Sequence, residues 1–226
     1  MANVYAHRGA SIEFPENTLP AFNRAVELGA YGIELDVHLS RDGFPVVIHD
    51  DTVDRTTNGT GAVADLDLAE LRSLDAGNGA GIPTLSEVLD LVEAHLHVDI
   101  EVKAAEAADA VLAETNTRPN LRFAISSFNH DVLRHVRAVS SDIELWPLTI
   151  GATDDALKTA VDVGAPNIAI YDRFVNAEIV EFVRSQGQNC WVWTVNDPER
   201  ALALVDLGVV GICTDDPAAV LARIGE

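Results

Sequence analysis

The sequence predicts an α/β fold in which parallel strands close into a (β/α)₈ barrel. Apolar, β-rich runs alternate with segments of helical spacing through most of the chain, and this alternation is typical of a parallel sheet. The length of 226 residues is near the lower end for a complete barrel. A doubly wound open sheet is the alternative fold. Nine runs have strand character: residues 4–6, 32–37, 45–49, 98–102, 123–127, 144–149, 167–171, 190–195 and 209–214.

The segment after the first strand shows the helical pattern. Leu19, Phe22 and Val26 recur at the three- to four-residue spacing of one helix face. Pro20 falls in the first turn, where proline is tolerated, and Gly29 marks the end of the helix. The strand–helix alternation therefore starts at the beginning of the chain.

Nine runs exceed the eight strands of a barrel, and a hairpin explains the surplus. The dipeptide Asp42-Gly43 separates the second run from the third, and Asp-Gly between two β-patterned runs is a strong hairpin signal. If the hairpin closes tightly on these two residues, Arg41 opposes Phe44. Counting back along both strands then places Asp36 opposite His49 on one face of the sheet.

Residues 50–81 lack a clear strand and are rich in Asp, Gly, Thr and Asn. We interpret residues 50–83 as a small loop insertion over the mouth of the barrel, with a short helix at 68–74. Such loops commonly select the substrate in barrel enzymes. Neither a repeat nor a linker suggests a second domain, so residues 1–226 are expected to form one barrel domain.

The charge balance excludes two classes of partner. The chain carries 15 Lys and Arg against 36 Asp and Glu, a formal net charge of −21. Such a field repels nucleic acid and anionic membranes, so we expect neither nucleic-acid binding nor stable membrane association. Self-repulsion of this size is screened at molar salt, which suggests adaptation to a saline cytoplasm. Stability should then rise from low salt to molar KCl, whereas an ordinary acidic protein would show little change.

A cytoplasmic location is the expectation from the remaining composition. The chain is 48% hydrophobic and 23% charged, which excludes disorder, and its apolar runs are too short to span a bilayer. The N-terminal residues leave no room for a secretory signal before the first strand. Cys190 and Cys213 lie inside strand-like runs, where reduced, buried cysteines are expected.

Acidic side chains interrupt two of the apolar strands. Glu34 and Asp36 are two residues apart and therefore point to the same face of a strand. Glu101 and Lys103 repeat this arrangement on a later strand, and Asp99 shares their face one step deeper. Carboxylates brought together in a barrel repel one another unless a cation joins them, so a metal site is favoured over a surface pair.

Histidines follow two other strands. His7-Arg8-Gly9 comes directly after the first run, and His49-Asp50 ends the third. A His-Arg pair at a strand end is weak by itself, because either residue can be a solvated loop residue. Combined with the acidic pairs, however, the four clusters occupy positions that a purely structural sequence would leave apolar.

These clusters belong to a longer series of short motifs, and the series resembles the glycerophosphodiester phosphodiesterase family. The resemblance extends over almost the whole chain, from about residue 4 to residue 215. The motifs occur in the family's order: His7-Arg8-Gly9, Pro15-Glu16-Asn17-Thr18, Glu34-Leu35-Asp36-Val37, Asp42-Gly43, His49-Asp50, Arg55-Thr56-Thr57-Asn58-Gly59, Leu74-Asp75-Ala76-Gly77, Pro83-Thr84-Leu85, Glu101-Val102-Lys103, Ser127-Phe128, Trp193-Thr194-Val195-Asn196 and Thr214-Asp215.

The resemblance implies a distorted TIM barrel that binds one divalent cation and hydrolyses small glycerophosphodiesters. By resemblance, the positions of Glu34, Asp36 and Glu101 ligate the metal, and those of His7 and His49 act as general acid and base. Arg8 and Lys103 match phosphate contacts. Phe128 and Trp193 match the apolar wall beside the substrate, although ordinary barrel packing also explains both aromatics.

Charge arithmetic supports the cation. Three carboxylates outnumber the two basic side chains of the expected site, so without a metal the site would repel a phosphodiester anion. Oxygen-only ligation suits Ca²⁺ or Mg²⁺, with Mn²⁺ as a third candidate, better than zinc.

One departure from the family and three alternative interpretations accompany the resemblance. Many relatives carry a longer, aromatic stretch before Pro83, whereas here residues 78–82 are short and lack aromatics, which affects head-group preference rather than chemistry. A related barrel phospholipase acting on lipid phosphodiesters is the alternative enzyme. A barrel that binds phosphorylated metabolites without catalysis is the alternative outside enzymes, and an unrelated TIM-barrel enzyme has slight support.

Overall fold

The computed structural model describes residues 2–92 and 95–225. The strands in these residues are β1 Asn3–His7, β2 Gly32–Leu39, β3 Pro45–Val47, β4 His97–Val102, β5 Arg122–Ser127, β6 Glu144–Thr149, β7 Asn167–Tyr171, β8 Asn189–Trp193 and β9 Gly211–Thr214. Eight of them are parallel and form a closed barrel in the order β1-β9-β8-β7-β6-β5-β4-β2, and pairing of β1 with β2 completes the ring. The remaining strand, β3, runs antiparallel to β2. The closed barrel is therefore confirmed over the open sheet.

Helices lie between the strands and cover the outside of the barrel. They are α1 Leu19–Leu28, α2 Leu68–Arg72, α3 Leu85–Val92, α4 Ala108–Asn116, α5 His130–Val139, α6 Asp154–Val163, α7 Ala177–Ser185, α8 Pro198–Asp206 and α9 Pro217–Ile224. The first helix ends as predicted, because Gly29 adopts a left-handed conformation at φ 70° and its N–H caps the last turn. None of the helices in the described ranges is long and apolar enough to cross a membrane.

The two faces of each strand enter different environments. Outward side chains such as Ile33 and Leu35 join one large apolar cluster with the surrounding helices. Inward side chains form a second cluster that fills the barrel: Tyr5, Ala124, Trp146, Leu148, Ala169, Trp191 and Cys213. Successive side chains of β2 point alternately outward and inward. Ile33, Leu35 and Val37 point outward, so Glu34 and Asp36 point into the barrel.

The hairpin forms at the predicted place but in a different register. Leu39 pairs with Pro45, and the Ser40 amide donates to the Phe44 carbonyl at 2.9 Å, so the turn contains the three residues 41–43 rather than two. Gly43, at φ 87°, supplies the left-handed residue that closes such a turn. The prediction that Asp36 opposes His49 is therefore wrong by one residue, and the Ile48 amide donates to the Asp36 carbonyl at 3.0 Å.

The segment after the hairpin packs as a small unit beside β3. Its helix α2 begins at the predicted residue and is capped by Asp67, which forms a reciprocal capping box with Glu70. Apolar side chains of the segment form a separate cluster with Val46 and Ile48. Among the described residues, none from 50–83 lines the central cavity of the barrel.

Candidate active site

The central cavity opens at the carboxyl ends of the strands, and its empty volume, part of which is open solvent, is about 370 Å³. Eight of the nine residues predicted for the site line it: His7, Arg8, Glu34, His49, Glu101, Lys103, Phe128 and Trp193. The ninth, Asp36, is fully buried beside them. The sequence-based prediction therefore selected residues that the fold brings to one place.

The three carboxylates predicted to bind a metal form one cluster. Glu34, Asp36 and Glu101 are all buried, and each offers an oxygen within 4.8 Å of the other two. They converge because β2 and β4 are neighbours with Asp36 paired to Glu101. Three buried oxygen donors at this spacing fit a divalent cation that prefers oxygen ligands.

Two cations lie against the carboxylate cluster. Lys103 Nζ is 3.0 Å from Asp36 Oδ1 and 2.6 Å from Glu101 Oε1. Arg8 Nε lies 3.3 Å from Asp36 Oδ2, which also accepts a hydrogen bond from Asn17 at 2.8 Å. Asp36 is thus held on several sides by positive or donating groups.

The neighbouring charges give the three carboxyl groups different pKa values. Burial opposes ionisation of Asp36, but Lys103 and Arg8 outweigh it and lower the pKa of this carboxyl. Burial, reinforced by Asp36 and Glu101, raises the pKa of Glu34 well above its usual value. Burial and the charge of Asp36 raise the pKa of Glu101 to about 7. A cation binding here must therefore displace protons.

The raised pKa values of Glu34 and Glu101 predict that the stability of the metal-free protein, measured in EDTA, depends on pH. A carboxyl whose pKa is higher in the folded chain binds more protons when folded, so its stabilising contribution is lost as the pH rises through that value. With the pKa of Glu101 raised from 4.5 to about 7, the free energy of unfolding should fall as the pH rises from about 4.5 to about 7, and it should level off about one pH unit above that. Urea unfolding measures it, and Glu101→Gln should reduce the slope. A flat or rising profile would contradict this expectation.

His7 is held by residues from the far end of the chain. Its Nδ1 lies 2.6 Å from Asp215 Oδ1, and its Nε2 is 3.9 Å from Glu34 Oε2. Asp215 also accepts hydrogen bonds from Ser11 at 3.1 Å and Asn196 at 2.6 Å. Burial opposes ionisation of Asp215, but the hydrogen bond from His7 outweighs it together with the other donors, and the pKa of Asp215 is lowered to about 2.

His49 has a similar carboxylate partner. Its Nδ1 lies 2.6 Å from Asp50 Oδ1, and Arg55 donates to both oxygens of Asp50 at 2.7 and 3.0 Å. Arg55 also binds both oxygens of Glu16, which in turn accepts from Arg8 at 2.8 Å. An ion chain, Arg8–Glu16–Arg55–Asp50, therefore connects the arginine of the first motif to the second histidine.

The pKa of His49 is lowered chiefly by burial. The positive charges of Lys103 and Arg8 also lower this pKa. The negative charge of Asp36 and the hydrogen bond to Asp50 raise it, but by less. His49 is therefore neutral at neutral pH, with Nδ1 fixed by Asp50 and Nε2 left for the cavity.

Aromatic rings form part of the cavity wall. Phe128 contacts Trp193 edge-on with ring centroids 5.4 Å apart, and Tyr171 lies 5.1 Å from Trp193. Phe128 is 45% exposed, so this wall borders solvent. The cavity thus combines carboxylates and histidines with an apolar wall that borders solvent.

Comparison with known proteins identifies the family of the chain. The model of the glycerophosphoryl diester phosphodiesterase family matches residues 7–219. A glycerophosphodiester phosphodiesterase of Caldanaerobacter subterraneus subsp. tengcongensis is 40% identical over 96% of both chains. The chain belongs to the glycerophosphoryl diester phosphodiesterase family. Its members are phosphoric diester hydrolases.

Solved structures of other phosphodiesterases have the same barrel as this chain. An Oleispira antarctica phosphodiesterase in complex with the product sn-glycerol-3-phosphate has a TM-score of 0.95 and 29% identity, covering 100% of this chain and 98% of that one. A glycerophosphodiester phosphodiesterase of Thermotoga maritima has a TM-score of 0.83 and 30% identity, covering 98% of both chains.

Several residues around the site had no role in the sequence-based prediction. Asp215, Asp50, Glu16, Asn17 and Arg55 all stand in motifs shared with the phosphodiesterase family, but only the fold shows what they contact. Their signal in the sequence was their position in those motifs. In the structure they fix the orientation of His7, His49 and Asp36.

Asp215→Asn tests the partner of His7 in this phosphodiesterase. Loss of the charged acceptor should lower kcat by about 10²-fold and shift the acidic limb of the pH–rate profile, since general acid–base catalysis contributes about 10²–10⁴-fold. Steady-state kinetics between about pH 5 and pH 9 measure both. The matched control is Asp216→Asn, because asparagine also caps helices well. An unchanged profile would contradict the assigned role.

Proposed function

We propose that this chain hydrolyses glycerophosphodiesters to an alcohol and sn-glycerol 3-phosphate. Glu34, Asp36 and Glu101 would hold a divalent cation, and His7 and His49 would act as an acid–base pair. The observation that carries the proposal is geometric. Two histidines, each fixed at Nδ1 by a carboxylate, share one cavity with three converging carboxylates.

The donor set favours Ca²⁺ or Mg²⁺, with Mn²⁺ as a third candidate, because all three side chains offer oxygen. When bound, such an ion supplies a positive centre for a non-bridging phosphate oxygen and for the charge that grows on phosphorus.

The histidines divide the proton transfers. His49 is neutral and its Nε2 can accept the proton of the glycerol hydroxyl next to the phosphate. That oxygen then bonds to phosphorus, while His7 donates a proton to the departing alcohol as its P–O bond breaks. The product of this step is a cyclic phosphate and a free alcohol.

The second step reverses the roles. His7, now neutral, accepts a proton from water as the water oxygen bonds to phosphorus. The protonated His49 returns its proton to the glycerol oxygen as the ring P–O bond opens. Both histidines end in their starting states, and sn-glycerol 3-phosphate is released.

Lys103 and Arg8 would contact the phosphate. The Lys103 ammonium has three donors, and Asp36 and Glu101 engage two of them, which leaves one for an anion in the cavity. Arg8 also lines the cavity while held by Glu16. The alcohol group would rest on Phe128 and Trp193, at the side that borders solvent.

Hydrolysis of glycerophosphocholine and glycerophosphoethanolamine tests the proposal. Each diester is incubated with Ca²⁺, Mg²⁺ or Mn²⁺, then with EDTA and again after the ion is restored. Activity should require the ion and return with it. Lysophosphatidylcholine is assayed in parallel, and a preference for this lipid would favour the phospholipase alternative. Activity that survives complete chelation would refute the metal-dependent mechanism.

A further inference from the structure

The lower part of the central cavity contains polar atoms without hydrogen-bond partners. They are both carboxylate oxygens of Asp99, the hydroxyl of Ser126 and the indole nitrogen of Trp191. All three residues line the same cavity as the histidines and the carboxylate cluster. Buried polar groups nearly always have partners, so several unpartnered groups around one cavity point to a bound molecule.

The strand geometry places this group of atoms below the candidate metal site. Asp99 precedes Glu101 by two residues on β4, so its side chain points into the barrel about 7 Å nearer the closed end. Trp191 stands in the same relation to Trp193 on β8. Leu148 completes the surroundings as an apolar neighbour.

A structural role explains Asp99 poorly. Asp99 is 1% exposed, and a carboxyl without a hydrogen-bond partner is costly to bury. The nearby cations bind other groups, because Lys103 contacts Asp36 and Glu101 and Arg8 contacts Asp36 and Glu16. Ser126 lies nearby, but neither its oxygen nor those of Asp99 meet hydrogen-bond geometry.

We propose that Asp99, Ser126 and Trp191 form a subsite for the terminal hydroxyl of the substrate's glycerol group. An alcohol both donates and accepts hydrogen bonds, so it can donate to Asp99 and accept from the Trp191 N–H or the Ser126 hydroxyl. The inference rests on the proposed function and assigns the glycerol half of the diester to the enclosed end. The variable alcohol then occupies the exposed side at Phe128.

Binding measurements separate this subsite from the catalytic proposal. Isothermal titration calorimetry in CaCl₂ compares sn-glycerol 3-phosphate with propane-1,2-diol 1-phosphate, which lacks only the terminal hydroxyl. The wild type should bind the deoxy compound about 10- to 100-fold more weakly, the effect of leaving buried polar groups of the subsite without their hydrogen-bond partner. In Asp99→Leu, the leucine side chain has nearly the same shape as aspartate but cannot form hydrogen bonds. The ratio of the two dissociation constants should then fall to less than about threefold.

Stability provides the second readout. Asp99→Leu should leave Tm unchanged or raise it, because it removes a buried carboxyl that has no partner. Asp99→Asn keeps one carbonyl acceptor and should restore part of the discrimination. The double variant Ser126→Ala with Trp191→Phe removes the donors and should weaken discrimination even if Asp99→Leu folds poorly.

Three results would overturn the inference. Equal affinity of the wild type for both phosphates would mean that the subsite holds water only. A lower Tm for Asp99→Leu with unchanged discrimination would make Asp99 structural. Unchanged discrimination in the double variant would exclude the two donors. Failure of the proposed function is distinguishable, since it would abolish hydrolysis of diesters while the binding preference persisted.

Discussion

Replacing His49 or His7 by alanine is expected to lower kcat/KM for glycerophosphocholine by about 10²- to 10⁴-fold, because each imidazole would transfer a proton in both steps of the proposed mechanism. The two losses should not add when the variants are combined, since a single missing proton transfer already limits the reaction. Release of choline by a coupled assay measures the effect.

His135→Ala is the matched control for these variants. This histidine is exposed on α5 and contacts Asp109 at 2.8 Å, away from the cavity. It should retain wild-type activity. If His49→Ala kept more than about a tenth of the activity, the acid–base assignment would be wrong.

A double variant, Glu34→Gln with Glu101→Gln, should abolish detectable hydrolysis and the stabilisation by Ca²⁺ or Mg²⁺. In the wild type, an ion at about 100 times its Kd should contribute about 2.7 kcal/mol, or about 5–10 °C in Tm for a chain of this size. The variant should show no such shift, because amide oxygens replace two of the three carboxylates.

Tm is measured with and without the ion for both proteins. The variant should be at least as stable as the wild type in EDTA, since it removes two buried carboxyls that repel Asp36. Glu178→Gln, at an exposed position of α7, is the control and should keep the full shift. A normal cation-induced shift in the double variant would mean that the ion binds elsewhere.

The strands and the barrel were predictable from local patterns. Buried parallel strands are continuous apolar runs, so each of the nine runs marked a strand in the structure. The hairpin register was not predictable, because one residue more or less in the turn changes every pairing. Gly43 in the left-handed conformation adds that residue, and the sequence Asp42-Gly43 is compatible with both closures.

The site was predictable where its residues share a strand and not where distant segments meet. The two-residue spacing of Glu34 and Asp36 places both side chains on one face of the strand whatever the remaining fold. Asp215, by contrast, reaches His7 only because β9 lies beside β1, which is a property of barrel closure. Asp99 was recognised as sharing the face of Glu101, but only its lack of a partner in the structure sets it apart.

The ion chain Arg8–Glu16–Arg55–Asp50 also bears on loop grafting between relatives. Arg55 belongs to the segment after the hairpin, yet it braces the carboxylate that orients His49 and the one that holds Arg8. A transplanted segment without an arginine at this position would leave Asp50 and Glu16 as facing negative charges. Recombinant chimeras designed for new head groups should therefore carry Arg55 with them, or catalysis will decline for reasons unrelated to substrate choice.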